Sequence, residues 1–65
     1  MIRVLIVDDH PIFRQGLALA LEEALDISVC GQGATADEAI ALARVCLPDV
    51  ALIDLSMPGK FASLY

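Results

Sequence analysis

The stretch Asp49-Val50-Ala51-Leu52-Ile53-Asp54-Leu55-Ser56-Met57-Pro58-Gly59 limits what this chain can fold into more than any other. Its apolar run from Val50 to Ile53 ends on a carboxylate and then breaks at Pro58-Gly59, the pattern of a strand buried on both faces of a parallel sheet. Asp54 is thereby predicted at the carboxyl end of a strand, where open α/β sheets bind their ligands. Asp is also a common turn residue, so Asp54 taken alone fits a cap equally well. A second strand of the same design weighs against that reading. Met1 to Val7 is a β-branched run that ends on Asp8-Asp9, so acidic residues close two separate buried strands.

Between these strands the hydrophobic period changes twice. Pro11 suits the first turn of a helix with Asp9 or His10 as its cap, and Phe13, Leu17, Ala20, Leu21, Ala24 and Leu25 then recur as one apolar stripe. The helix is predicted to run to about Ala24 or Leu25, with Arg14, Gln15, Glu22 and Glu23 on its opposite side. Ile27 to Gly31 reads as a short edge strand. Thr35 and Glu38 have the spacing of a capping box, and behind them Ala36, Ala39, Ile40, Ala43, Cys46 and Leu47 form a second stripe that ends at Pro48. The order is β-α-β-α-β, half of a doubly wound α/β fold. Right-handed crossovers with the first strand placed centrally bring Asp8, Asp9 and Asp54 to one end of adjacent strands.

Composition narrows the function classes. Sixty-five residues allow one domain, near the lower size at which a single core holds itself together. The chain is 58% hydrophobic, yet no apolar run approaches the length of a membrane span, so no membrane association is expected. A net charge of −5 and only four Lys and Arg argue against direct nucleic-acid binding, which needs a basic footprint. The N-terminus has no signal-peptide pattern, and Cys30 and Cys46 lack metal-ligand spacing and read as buried free thiols, which together lead to the expectation of a cytoplasmic protein.

Three carboxylates at neighbouring strand ends repel one another, and Lys60 and Arg14 are the nearby bases in sequence. The cluster calls for a cation. Carboxylates with a backbone carbonyl and water suit a hard divalent ion such as Mg²⁺, and an ion beside a free carboxylate prepares it for attack on phosphorus. A solvated acidic patch without a ligand is the alternative. His10 reads as a helix-entry residue rather than a ligand or base.

Val7-Asp8-Asp9-His10-Pro11 and the run from Asp49 to Gly59 resemble the first- and third-strand motifs of response-regulator receiver domains of two-component systems. The run from Asp9 to Leu17 is further similar to the NarL/FixJ (LuxR-type) subclass, whose members usually carry a C-terminal helix-turn-helix DNA-binding domain. The resemblance covers residues 1–59 and implies a flavodoxin-like (CheY-like) parallel sheet, here β-α-β-α-β with strand order 2-1-3. It implies that Asp54 accepts a phosphoryl group from a sensor histidine kinase and that Asp9 contacts Mg²⁺ directly, while Asp8 acts through a water. Ser56 matches the position whose backbone carbonyl completes the metal site, and Met57, Pro58 and Gly59 shape its loop. Such a module is a signalling element rather than an enzyme.

The departures carry expectations too. Receivers continue through two more strands, which supply a Ser or Thr and a Lys to the phosphoryl group; neither Ser63 nor Lys60 stands in those contexts. Residues 60–65 read as a divergent or truncated tail, and phosphorylation of this stretch alone is expected to be impaired. The rival reading is an interaction fragment that associates without switching. Self-association is expected in either case, through the apolar edge from Val50 to Ile53 pairing with the same strand or with the Phe61 to Tyr65 tail of a second copy. A haloacid-dehalogenase-like phosphatase fits less well, because that motif places a second acid where Ser56 stands.

Overall fold

The computed structural model describes residues 1–54. Its elements are β1 (Ile2–Val7), α1 (Pro11–Glu22), β2 (Ile27–Gly33), α2 (Ala36–Cys46) and β3 (Val50–Ile53). β1 is the reason they assemble. Its β-branched residues alternate across the sheet, Val4 and Ile6 packing with Ala18 on the α1 side, Leu5 and Val7 with Ala39 on the α2 side. Leu5, Ile6 and Val7 are at most 2% exposed, and burying each such side chain stabilises by about 1.5–3 kcal/mol. β1 therefore takes the centre of a parallel sheet ordered β2-β1-β3, the expected 2-1-3 arrangement.

α1 opens with Pro11 at its first turn, as expected, but its cap position, His10, makes no side-chain capping bond. The helix is also rotated from the predicted stripe. Leu17, Ala18 and Leu21 meet Val4, Ile6, Ile27 and Val29, whereas Phe13 is 62% and Leu25 95% exposed. Helix α1 ends at Glu22 rather than at Ala24 or Leu25, because a turn with Ala24 N–H on the Leu21 carbonyl and Ile27 N–H on the Ala24 carbonyl leads into β2. Arg14, expected on the outer side, is half-buried and turned back toward β1.

α2 begins as its capping box predicts. The Thr35 hydroxyl accepts the Glu38 N–H at 3.1 Å, and the Glu38 carboxylate accepts the Ala34 N–H at 3.0 Å, one residue before the expected partner. Arg3 secures the other end. Its guanidinium donates twice to the Cys46 carbonyl, at 3.0 and 2.6 Å, placing a cation at the negative end of the helix. The Arg3 N–H and carbonyl also bond the Asp49 carboxylate and N–H, each at 2.8 Å, which sets the register in which β3 enters.

β3 departs from the expectation of a strand buried on both faces. All of its residues are exposed, because it pairs with β1 on one side while α1 and α2 pack on β1 and β2. The predicted tail, residues 60–65, lies outside the described residues.

Leu47 adopts the left-handed conformation at φ 50 as the chain leaves α2 ahead of Pro48. A branched side chain costs about 1–2 kcal/mol there, while glycine gives back about 0.5–1 kcal/mol in unfolded-chain entropy. Leu47 is 73% exposed, so little packing is at stake. Leu47→Gly is expected to raise the urea midpoint, by up to about 1 kcal/mol in unfolding free energy; a lower midpoint would show that the conformation carries no strain.

Candidate functional site at the ends of β1 and β3

The register that buries β1 also builds the site. Val7 pairs with Ile53, so the next residues of each strand, Asp8 and Asp54, leave the sheet side by side. Backbone bonds hold both positions, Asp54 N–H to the Val7 carbonyl and Asp8 N–H to the Gly33 carbonyl, each at 3.0 Å. Asp8 is 5% exposed, Asp54 half-buried and Asp9 exposed. One ligand atom from each of Asp8, Asp9, His10 and Asp54 lies within 4.8 Å of the others. Sequence reasoning brought the three aspartates together correctly and left His10 out.

His10 is drawn in by the turn it occupies. Asp8 Oδ1 accepts the His10 N–H at 2.9 Å, an Asx-type turn, and the same oxygen lies 2.7 Å from His10 Nδ1. Nδ1 also lies 3.1 Å from Asp9 Oδ1 and 3.6 Å from Asp54 Oδ2. The Asp8 hydrogen bond, followed by the charges of Asp9 and Asp8, raises the His10 pKa above 6.5, favouring the imidazolium, which when formed is a local counter-charge. Arg14 is the second base. Its Nη1 donates to the Asp8 carbonyl at 2.7 Å, while its Nε is buried without a hydrogen-bond partner among the described residues. An open cleft of about 320 Å³ between α1 and β3 is lined by Asp8, His10 and Asp54 together with the apolar Phe13, Leu17, Leu52 and Ile53. Asp8 and Asp54 thus share one cleft with apolar side chains of α1 and β3.

Residues 4–61 match the response regulator receiver domain family. The chain belongs to that family. It is 49% identical over 59 residues to the transcriptional regulatory protein LiaR of Bacillus subtilis, covering 91% of this chain and 28% of LiaR. It is 42% identical over 59 residues to the response regulator GacA of Pseudomonas aeruginosa, covering 91% of this chain and 28% of GacA. The solved signal receiver domain of NarL from Mycobacterium tuberculosis superposes with a TM-score of 0.84 at 42% identity, covering 91% of this chain and 48% of that one. The receiver resemblance and its NarL/FixJ character are therefore borne out, and the chain spans about 28% of the length of the curated relatives it matches.

In this receiver the cluster offers hard carboxylate oxygens converging from two strand ends, a donor set that suits Mg²⁺. Asp8, Asp9 and Asp54 would hold the ion. Ser56, whose carbonyl the resemblance adds to the set, lies outside the described residues with Met57, Pro58 and Gly59. A signal for His10 was present in the sequence. Asp at the strand end followed two residues later by the N–H of a helix-entry residue is an Asx-turn spacing, and that turn sets the imidazole beside the acids.

Protonated His10 stabilises the fold fully below its unfolded value near 6.5, and the contribution is lost as pH rises through the higher folded value. Nuclear magnetic resonance titration of the His10 ring without divalent ions is expected to give a pKa above 6.5, with Asp8→Asn bringing it down because that variant removes the largest cause. A titration unchanged in Asp8→Asn would disprove the contact.

Proposed function

We propose that the chain is a phosphoacceptor module that takes a phosphoryl group on Asp54 from the phosphohistidine of a sensor histidine kinase. The observation that carries this reading is the placement of Asp54, a half-buried carboxylate at the end of β3 gathered with Asp8 and Asp9. An Asp54 oxygen attacks phosphorus, the P–N bond of the donor breaks as the P–O bond forms, and the donor imidazole leaves with its electron pair. Bound Mg²⁺ would offset the charge on the transferring phosphoryl oxygens. Asp8, Asp9 and Asp54 would hold that ion, and the resemblance adds the Ser56 carbonyl as a further ligand. Arg14 steadies the turn through the Asp8 carbonyl, keeping Asp8 on the Asp54 side.

Residues 1–59 then make the N-terminal part of a receiver, and residues 60–65 a divergent tail. In the whole protein the phosphorylated module would govern a separate DNA-binding domain, a reading supported by the transcriptional role in the name of LiaR. The module itself, with net charge −5, makes no direct contact with nucleic acid, and it works in the cytoplasm away from any membrane.

The 65 residues taken by themselves carry neither of the later Ser or Thr and Lys groups that receivers use on the phosphoryl oxygens. Losing one such preorganised donor commonly costs about 10²–10³ in rate. Incubation with Mg²⁺ and acetyl phosphate, followed by intact mass, is expected to show slow addition of one phosphoryl group. Chelation of Mg²⁺ or Asp54→Asn should abolish it. Addition that persists in Asp54→Asn would remove Asp54 from the role.

A second reading, association without switching, is favoured by the exposure of β3. Val50, Leu52 and Ile53 are 45%, 39% and 36% exposed, and the strand has no proline or charge to protect its outer edge. Unpaired apolar edges template pairing with another chain. The 65 residues alone are therefore proposed to dimerise through β3, and light scattering at high concentration should return twice 6.9 kDa. A particle of 6.9 kDa would rule this out.

A further inference from the structure

β2 carries one residue more than β1. Val4 pairs with Val29 and Leu5 with Gly31, so Cys30 is the extra residue of a bulge. Its side chain enters the core on the α2 side, against Leu5, Val7 and Ala39. Cys46, sixteen positions further on in the last turn of α2, is buried and donates its thiol to the Cys30 carbonyl at 2.9 Å. Gly31 permits this approach. A Cβ at Gly31 would lie 3.1 Å from the Cys46 sulfur, tighter than ordinary contact. Bulge, glycine and helix end thus place two cysteines of different elements together in a packed site.

We infer that Cys30 and Cys46 form a dithiol pair that closes to an intramolecular disulfide by exchange with a small disulfide. Cys30 is the entry residue, being half-buried where Cys46 is buried. Its thiolate attacks one sulfur of the small disulfide, whose S–S bond breaks and releases the first small thiol. The Cys46 thiolate then attacks the Cys30 sulfur of the mixed disulfide, forming the Cys30–Cys46 bond and releasing the second small thiol. The pair is oxidised by two electrons, the small disulfide is reduced, and the two protons lost by the cysteines end on the two released thiols.

The surroundings set the pace. Burial and the neighbouring Cys46 thiol push the Cys30 pKa up, and the Arg3 guanidinium opposes them. The groups facing Cys30 among the described residues are thus Cys46 from α2 and Arg3 from β1, and exchange quickens as pH rises toward the thiol range. The bridge would join β2 to the turn of α2 that Arg3 already holds, at the start of β1 and away from the acids at its end. It is therefore independent of the phosphoacceptor reading.

The test equilibrates the 65-residue chain in buffers of reduced and oxidised glutathione at mildly alkaline pH, with and without urea. Acid quenching, alkylation and intact mass then count the free thiols. In native buffer the chain should pass from two alkylated thiols to none, lose two hydrogens in mass and yield a linked Cys30–Cys46 peptide. Because the fold preorganises the pair, the oxidised fraction ratio should be roughly tenfold or more higher in native buffer than in urea. Cys30→Ser should leave Cys46 free, with the circular dichroism of the parent chain. An equal ratio in both buffers, a glutathione adduct that persists on Cys30, or a link only between chains would overturn the inference.

Discussion

Everything in this molecule depends on β1 being paired on both edges and packed on both faces. Its alternating Val4/Ile6 and Leu5/Val7 sets give α1 and α2 the two apolar surfaces they need. A central strand of this kind cannot slip by one residue without exchanging its two faces, so its register is fixed strongly. That register in turn fixes where the chain leaves the sheet. Asp8 and Asp54 are neighbours because Val7 and Ile53 are. The hydrophobic core thereby positions charged groups that contribute nothing to it.

Gathering carboxylates costs free energy, and the fold distributes that cost among local partners. Asp8, the most buried acid, lends its side chain to the His10 turn and its carbonyl to Arg14. His10 answers the charge of all three aspartates through one nitrogen. The opposite end of the sheet is held differently. There Arg3 joins the end of α2 to the start of β3 with hydrogen bonds to backbone and carboxylate, leaving the acidic end to respond to ions. One end of the sheet is braced by structure, and the other is balanced by charge.

Much of this was legible in the residues. The two acid-terminated apolar runs, Pro11, the Thr35/Glu38 box and Pro48 each carry a local mechanism, and each element they predicted is present. The α1 stripe was read less well. Leu17 and Leu21 face the core as predicted, but buried Ala18 was overlooked and Phe13 was not. Small residues give a weak hydrophobic signal although they are what close helix-to-sheet packing selects. Arg14 was placed outside because its charge suggested solvent, whereas its stem follows the helix inward and its head meets a carbonyl.

Taken by itself, the sequence determined the β-α-β-α-β order through period and turn chemistry, while the 2-1-3 order that centres β1 and brings Asp8, Asp9 and Asp54 together came from the resemblance to receivers. Only the tertiary structure decided that His10 points into the acids, that Arg3 caps α2, and that the Cys30 bulge meets Cys46. The exposure of β3 belongs with these, because four apolar residues in a row do not say which neighbours cover them. The physical reason is the range of the forces. Periodicity and capping act within a few residues and are written along the chain, whereas burial and long-range hydrogen bonds depend on which elements meet in space.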